Sequence, residues 1–340
     1  MSDSDSINSA DEALSEMLGI GLDIFVSLNE TETIQEASTL KNDLCTEIPQ
    51  ISSKEIENIV NGSNQLGKLY RDEAICLFPR ELSIPSKLMR RITDELVHGS
   101  SKYPSDKSYE KIKFIPNGDT QIHERRELTR FENFVSNHES WRDLCNGYLA
   151  KCVSAICGEE MILYKEKLNL KPPGGSGFAP HLDSPSLRIA LGDEGPTTFV
   201  TVMIAIDDMN EKNGCLKLCK GPWTEENHAE VVEPEEEGDP DAGGRAGAIK
   251  SANKLEFNPI IFKGGDFAAF NGWAPHRSSA NTSPFSRRAV FLTYNPAREG
   301  DFHDLYYRKM KQKREDYTNM LKAQRNADHK AEMAWYLEDF

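Results

Sequence analysis

The chain has 340 residues, 38% of them hydrophobic, which is enough to bury one large core and a smaller appendage. Its 40 basic residues against 55 acidic ones give a net charge of −15, which argues against a nucleic-acid partner, since phosphate binding needs a basic surface; a small anionic ligand stays compatible if basic residues line only a pocket. The seven cysteines include no C-x-x-C pair, so neither a disulfide framework nor a zinc knuckle is expected, and a reducing compartment fits.

The acidic, polar opening from Met1 to Ser6 matches neither a secretory signal nor an arginine-rich transit peptide. No apolar run approaches the length of a membrane span, and a cytoplasmic location is the expectation. Residues 1–66 are acidic and rich in Ser, Thr and Asn around an apolar patch, Leu14 to Leu28. They read as a poorly ordered extension with one short helix, or as a helix that docks on a partner or on the core. Residues 67–160 read as mostly helical, with helix-spaced apolar positions from Leu88 to Leu96 and from Trp141 to Ile156, forming a brace for the β-rich segment C-terminal to them. From 161 to 303, short β-rich runs alternate with turn residues. The fold class expected is therefore mainly β with flanking helices, around a double-stranded β-helix, the cupin-like jelly roll. Within it, Thr198 to Ile206 reads as a buried strand, Asp207 to Gly214 as its turn, and Cys215 to Cys219 as the return arm of a hairpin. Residues 224–253 break the rhythm with Glu225-Glu226, the acidic run Glu233 to Glu237 and Gly243-Gly244, and read as a lid near the barrel mouth or as a plain insertion. Residues 304–340 are highly charged and helical, with Tyr306, Met310, Tyr317, Leu321 and Trp335 on the apolar side of a helix packed outside or of a dimerisation element; a homo-oligomer is compatible with this.

The chemistry concentrates in His181-Leu182-Asp183, which comes after a strand and a Pro/Gly loop, and in His276 and Arg287 downstream. An imidazole and a carboxylate two apart on a strand share a face, and a second imidazole from a distant strand completes a three-ligand facial site. Such a triad leaves three coordination positions open, as in a non-haem Fe(II) centre where a bidentate 2-oxo acid takes two and dioxygen the third. Arg287 would anchor the far carboxylate of that acid, because a guanidinium pairs two N–H groups with two carboxylate oxygens. Ser278 returns to the face of His276 and would reach the same carboxylate, or it caps a turn. Arg287 and Arg288 are adjacent, so on a strand only one of them enters the barrel. Lys165 and Lys167 share a face of the strand entering the site and either neutralise a carboxylate or phosphonate or stay solvated. His123, His138, His228 and His303 lack a spaced partner and read as surface residues. Tyr164, Phe178, Phe199, Trp273 and Tyr294 read as core, with an aromatic cage for a quaternary ammonium as the alternative. Zinc also accepts His/His/Asp, so a zinc hydrolase or a non-catalytic jelly-roll binding protein stays open; the arginine and serine, for which a hydrolase has no use, discriminate.

The wording KEKLNLKPPGGSGFAPHLD, VMIAIDDMNEKNGCL, PHRSSANTS and LTYNPAREGD, with LTRFENFVSNHESW upstream, resembles the phytanoyl-CoA dioxygenase superfamily of Fe(II)/2-oxoglutarate oxygenases over about residues 70 to 300. It is most similar to the branch that hydroxylates small organophosphonates such as 2-aminoethylphosphonate. The resemblance implies Fe(II) on His181, Asp183 and His276, 2-oxoglutarate on Arg287, Ser278 and Lys167, and ascorbate as an accessory reductant. It implies a small-molecule substrate met by Arg130, Asn133, Lys165 and Arg188; the runner-up is a small amine, amino acid or secondary metabolite. It also selects Arg287 over Arg288. An intact carboxylate at Asp183 implies hydroxylation or desaturation rather than halogenation. One departure stands out: relatives often carry Gln between the His and the Asp, where this chain has Leu182.

Overall fold

A computed structural model describes residues 48–340 except 63–64, 100, 115–120, 122, 228–248, 250–251 and 339–340. The apolar patch Leu14 to Leu28, most of the expected lid and His228 lie outside the described residues. Eleven strands are described: β1 Ile75–Leu77, β2 Asp106–Phe114, β3 His123–Glu132, β4 Met161–Lys171, β5 Phe178–His181, β6 Val200–Ala205, β7 Leu216–Leu218, β8 Asn258–Pro259, β9 Phe267–Asn271, β10 His276–Ser278 and β11 Arg287–Pro296. They form a seven-stranded sheet, β1-β9-β6-β11-β4-β3-β2, and a four-stranded sheet, β5-β10-β7-β8, with antiparallel neighbours throughout. This is the expected jelly roll. Among the described residues seven α-helices accompany it: α1 Ser53–Asn61, α2 Leu66–Glu73, α3 Ser86–His98, α4 Glu139–Asp143, α5 Ala150–Cys157, α6 Asp183–Leu191 and α7 His303–Glu338.

The large sheet is covered on both faces, and the sequence of β6 shows it. All six of its residues are buried; Val202 and Ile204 join the cluster shared with the helices, while Met203 and Ala205 turn into the space between the sheets. A strand buried on both sides reads as a continuous apolar run, which is why it is conspicuous in the sequence. Trp141, fully buried on α4, donates to the Ile92 carbonyl of α3 at 3.2 Å and ties the two expected helices together.

Four expectations change. The core begins before residue 67: Ser52 and Glu55 form a reciprocal cap at the start of α1, which buries Ile56 and Val60 completely. The segment read as mostly helical also contains the β2–β3 hairpin, whose charged, half-exposed residues give little apolar alternation to read. Leu216–Leu218 is not the return arm of a hairpin with β6, because Asp207 to Gly214 carries the chain into the opposite sheet, where β7 pairs with β10 and β8. His138 and His303 are buried rather than on the surface. Burial holds the His138 imidazole down at about 4.

His303 opens α7 and answers Glu166, a fully buried carboxylate on β4. Glu166 accepts from the Phe134 and Val135 amides at 2.8 and 2.9 Å and meets His303 Nε2 at 2.8 Å. Beside it, Tyr306 and Tyr307 pack with Tyr164, Phe199, Leu187 and Leu191. Glu166→Ala is expected to cost about 3–5 kcal/mol in urea unfolding, because it strands two amides and a buried imidazolium. Burial opposes the charge on His303, but the Glu166 carboxylate outweighs it and raises the imidazole above its ordinary value. The stabilisation is therefore complete below about pH 6.5 and is lost as pH rises through the raised value. A urea midpoint that does not fall as pH rises into the alkaline range would remove this assignment.

Candidate metal centre

His181 ends β5 and His276 begins β10, and the two residues face each other directly across the small sheet. Their ring centroids are 4.1 Å apart. The Nδ1 atom of His181 lies 2.7 Å from the Ala179 carbonyl, and that of His276 lies 3.0 Å from the Ala274 carbonyl. A carbonyl only accepts, so Nδ1 carries the proton in both rings and each Nε2 presents a lone pair. Asp183 Oδ1 stands 3.8 Å from His181 Nε2 and 3.6 Å from His276 Nε2, while its Oδ2 accepts from Thr201 Oγ1 at 2.9 Å. One carboxylate oxygen is thus fixed by β6 and the other is left to a metal. The ligand atoms lie within 4.8 Å of one another, and this is the one such cluster of three among the described residues.

The convergence has a different origin from strand alternation. Leu182 is extended, but Asp183 is the first residue of α6, so the chain passes from strand to helix between the two ligands. Leu182 itself is buried in the cluster that holds Met203, Leu216 and Leu218, and so contributes packing. Burial, then the neighbouring His276 ring, pushes His181 well below the usual histidine range. Burial works against the Asp183 carboxylate, yet His276, His181, Lys167 and the Thr201 hydroxyl outweigh it and lower its pKa. The donor set offered to a metal is thus two imidazoles and one carboxylate, which fits a divalent ion.

The same cavity is lined by Lys165, Lys167, Asn169, Ser278 and Arg287. Arg287 is 3% exposed on β11 and gives its guanidinium to the carbonyls of Gly214 and, at 3.4 Å, Asn213. Burial lowers it to about 10. Opposite it in register on β4 stands Lys171, 5% exposed, which donates to Ser278 Oγ at 2.9 Å and to the Ser279 carbonyl at 2.8 Å. Gly214 permits this crowding: its φ of +70° suits glycine, and a Cβ there would sit 2.3 Å from the Ser279 oxygen. Lys171 is not among the residues expected from the sequence; it is the last residue before Pro172 and Pro173. Positions 165, 167, 169 and 171 alternate along one strand face, and that period was the available signal.

The other named residues divide. Lys167 lies on the Phe291 rung, four residues and roughly 13 Å along the strand from the Arg287–Lys171 rung. It therefore stands away from the Arg287 end. Burial, then Arg130 and Lys165, presses its ammonium down to about 7. Arg130 pairs with Asn169 in register, facing the same side of the sheet, and its buried Nε has no hydrogen-bond partner. Lys165 is committed to Glu132 at 3.4 Å and to Tyr306; these outweigh burial and raise its pKa. Asn133 sits in left-handed backbone at the turn after β3, where its carbonyl accepts from Asn137 at 3.4 Å, and it does not line the cavity. Arg188 does not line the cavity either: it is bidentate to Glu225 at 2.5 and 2.7 Å, donates to the Thr197 carbonyl and lies 5.1 Å from the Trp273 ring centre. It ties α6 to the start of the long loop.

A jelly roll that holds two imidazoles and a carboxylate on one side of its cavity and a buried arginine on the other defines the class. The chain belongs to the phytanoyl-CoA dioxygenase (PhyH) family, whose sequence profile matches residues 90–289. It is 39% identical over 189 residues, 55% of this chain and 66% of the relative, to a 2-aminoethylphosphonate dioxygenase from uncultured bacterium HF130_AEPn_1. It is 34% identical over 180 residues, 52% of this chain and 62% of the relative, to a methylphosphonate hydroxylase from Gimesia maris. The matched segment thus spans slightly under two thirds of these relatives. EctD from S. alaskensis, in a crystal structure with bound Fe, shares the fold with a TM-score of 0.50 and 17% identity, over 71% of this chain and 80% of that one.

Proposed function

We propose that the protein is an Fe(II)- and 2-oxoglutarate-dependent dioxygenase that hydroxylates a small organophosphonate. The observation that carries the reaction class is one cavity bounded by a His181/Asp183/His276 donor set and by Arg287, whose hydrogen-bond partners are carbonyls and not carboxylates. A zinc hydrolase would have no use for that buried cation. His181, Asp183 and His276 would hold Fe(II), and Arg287 with Ser278 would hold the far carboxylate of 2-oxoglutarate. When bound, iron, the keto acid and dioxygen supply the oxidising power: 2-oxoglutarate leaves as succinate and carbon dioxide, with one oxygen atom in succinate and the other in the hydroxylated product.

The protein's own share is placement. The two Nδ1–H···O=C bonds and the Thr201 bond fix the donor atoms before any ligand arrives, so no reorganisation is needed at that moment. Lys167 lines the cavity, and Arg130 stands next to that lining, paired in register with Asn169; neither is in a close ion pair with Glu132, as Lys165 is. They would hold the substrate's anionic head, away from the Arg287 rung. The activities for which the two bacterial relatives are named support a phosphonate there.

The test is anaerobic addition of Fe(II) and then 2-oxoglutarate, followed by succinate release in air with 2-aminoethylphosphonate, methylphosphonate and a phosphorus-free amine of the same length, with ascorbate as reductant. Phosphonate-dependent succinate supports the proposal. Release with the amine alone moves the substrate to the amine class, and tight zinc binding without 2-oxoglutarate binding discards the oxygenase reading. Lys167→Met is expected to raise KM for the phosphonate roughly 10- to 100-fold, the loss of one charge-assisted hydrogen bond, while 2-oxoglutarate binding stays within a few-fold. An unchanged KM would remove Lys167 from the substrate site.

A further inference from the structure

Ser278 reaches the cavity from β10, and its hydroxyl oxygen already receives two protons. Lys171 Nζ donates to it at 2.9 Å and the Phe178 amide at 3.3 Å. A hydroxyl has two lone pairs and one proton. With both lone pairs filled, its proton can only be given away, and Ser278 shares the cavity wall with Arg287. Lys171 does not line the cavity; it stands behind the serine, with the Ser279 carbonyl at 2.8 Å and the Gly214 carbonyl at 3.5 Å as its other acceptors. Gly214 also accepts from Arg287, so two buried cations share one carbonyl, and no carboxylate is among their hydrogen-bond partners. Two adjacent buried cations with no carboxylate within hydrogen-bond reach are costly unless an anion joins them.

We propose that Lys171 is a positioning residue for the co-substrate: by filling a lone pair of Ser278 it turns the serine hydroxyl into a committed donor to the far carboxylate of a 2-oxo diacid beside Arg287. This rests on the reading of the cavity as a 2-oxoglutarate site. A neutral amine would lose the effect, because its own lone pair would accept the serine proton and draw it away from the ligand. Burial, then Arg287, lowers Lys171 to about 7. Arg287 faces it from β11, Cys215 from the segment before β7 and Glu110 from β2. Binding of the diacid therefore takes up a proton near and above neutrality, and affinity falls as pH rises past about 7.

The experiment is calorimetric titration of the anaerobic Fe(II)-loaded protein with 2-oxoglutarate, and with pyruvate, a 2-oxo acid that lacks the far carboxylate. It is run from pH 6.5 to 8.5 in buffers of different ionisation heat. The wild-type protein is expected to bind 2-oxoglutarate with proton uptake at pH 8 and a Kd that rises up to about tenfold per pH unit above neutrality. Lys171→Met should weaken 2-oxoglutarate by roughly 10- to 100-fold, flatten the pH dependence and leave pyruvate unchanged. Ser278→Ala should add little on top of it, and Lys171→Arg, which keeps the donor, should recover part of the loss. Equal weakening of both acids, or additive losses for the two variants, would show that Lys171 only supports the local backbone and would overturn the proposal. A misfolded Lys171→Met protein leaves the decision to the wild-type proton count and to Lys171→Arg; absent uptake at pH 8 overturns it. If the wild type binds pyruvate and 2-oxoglutarate equally, the co-substrate reading itself fails. If it prefers 2-oxoglutarate and Lys171→Met keeps that preference undiminished, only the role of Lys171 fails.

Discussion

Asp183→Ala is expected to abolish turnover and to weaken Fe(II) binding by well over 100-fold. The carboxylate is the only anion in the donor set, and without it a dication would face two neutral imidazoles, with Lys167 near enough to act on the same site. A graded comparison makes the result specific. Thr201→Val removes only the hydroxyl that holds Asp183 Oδ2, a support of the kind whose loss typically costs about 10- to 100-fold in metal affinity. The order expected in an anaerobic Fe(II) titration is wild type, then Thr201→Val, then Asp183→Ala, with thermal melts of the metal-free proteins close together. An Asp183→Ala protein that still binds Fe(II) within a few-fold of wild type would show that the metal sits elsewhere.

Arg287→Ala carries the second large effect. Truncating one partner of a buried, hydrogen-bonded charge pair costs about 2–5 kcal/mol, so the Kd for 2-oxoglutarate should rise roughly 30- to several-thousand-fold. Iron affinity should stay near wild type, because Arg287 bonds to Gly214 and Asn213 and not to the three ligands. Arg287→Lys should not restore binding, since a point charge replaces a planar fork. High 2-oxoglutarate should recover kcat in Arg287→Ala but not in Asp183→Ala, which separates anchoring from ligation. Parallel loss of iron and 2-oxoglutarate would mean that the substitution disturbs the barrel and does not report on a contact.

Much of this was legible in the sequence, for identifiable reasons. His181, Asp183 and His276 stand out because the ligand chemistry admits few residue types, and Val200–Ala205 because a strand covered on both faces is apolar except at Thr201, which serves the site. The sequence could not show that Asp183 opens a helix, because a two-residue spacing reads the same on a strand as at a strand-to-helix junction. Arg188 looked available only because its partner, Glu225, lies 37 residues away in a loop without periodicity. The sheet exchange between β6 and β7 was hidden for a related reason: adjacent apolar strands look alike whether they pair with each other or with opposite sheets. Glu166 carries no sequence signal at all, since its role depends on amides at 134 and 135 and on an imidazole at 303.

Strand β4 reads in two directions. Lys165, Lys167 and Asn169 line the cavity, while Glu166 and Leu168 turn toward the helices; Lys165 touches α7 through Tyr306, and Lys171, six residues on, belongs to the Arg287 rung. The two positions are therefore separable. On the proposed reading, the Tyr306 side would set which anion is welcome, while the Arg287 rung, more than roughly 10 Å away along the strand, would hold the co-substrate. Substitutions at Lys165 or Tyr306 would thus act on one part of the strand and leave the Arg287 rung untouched.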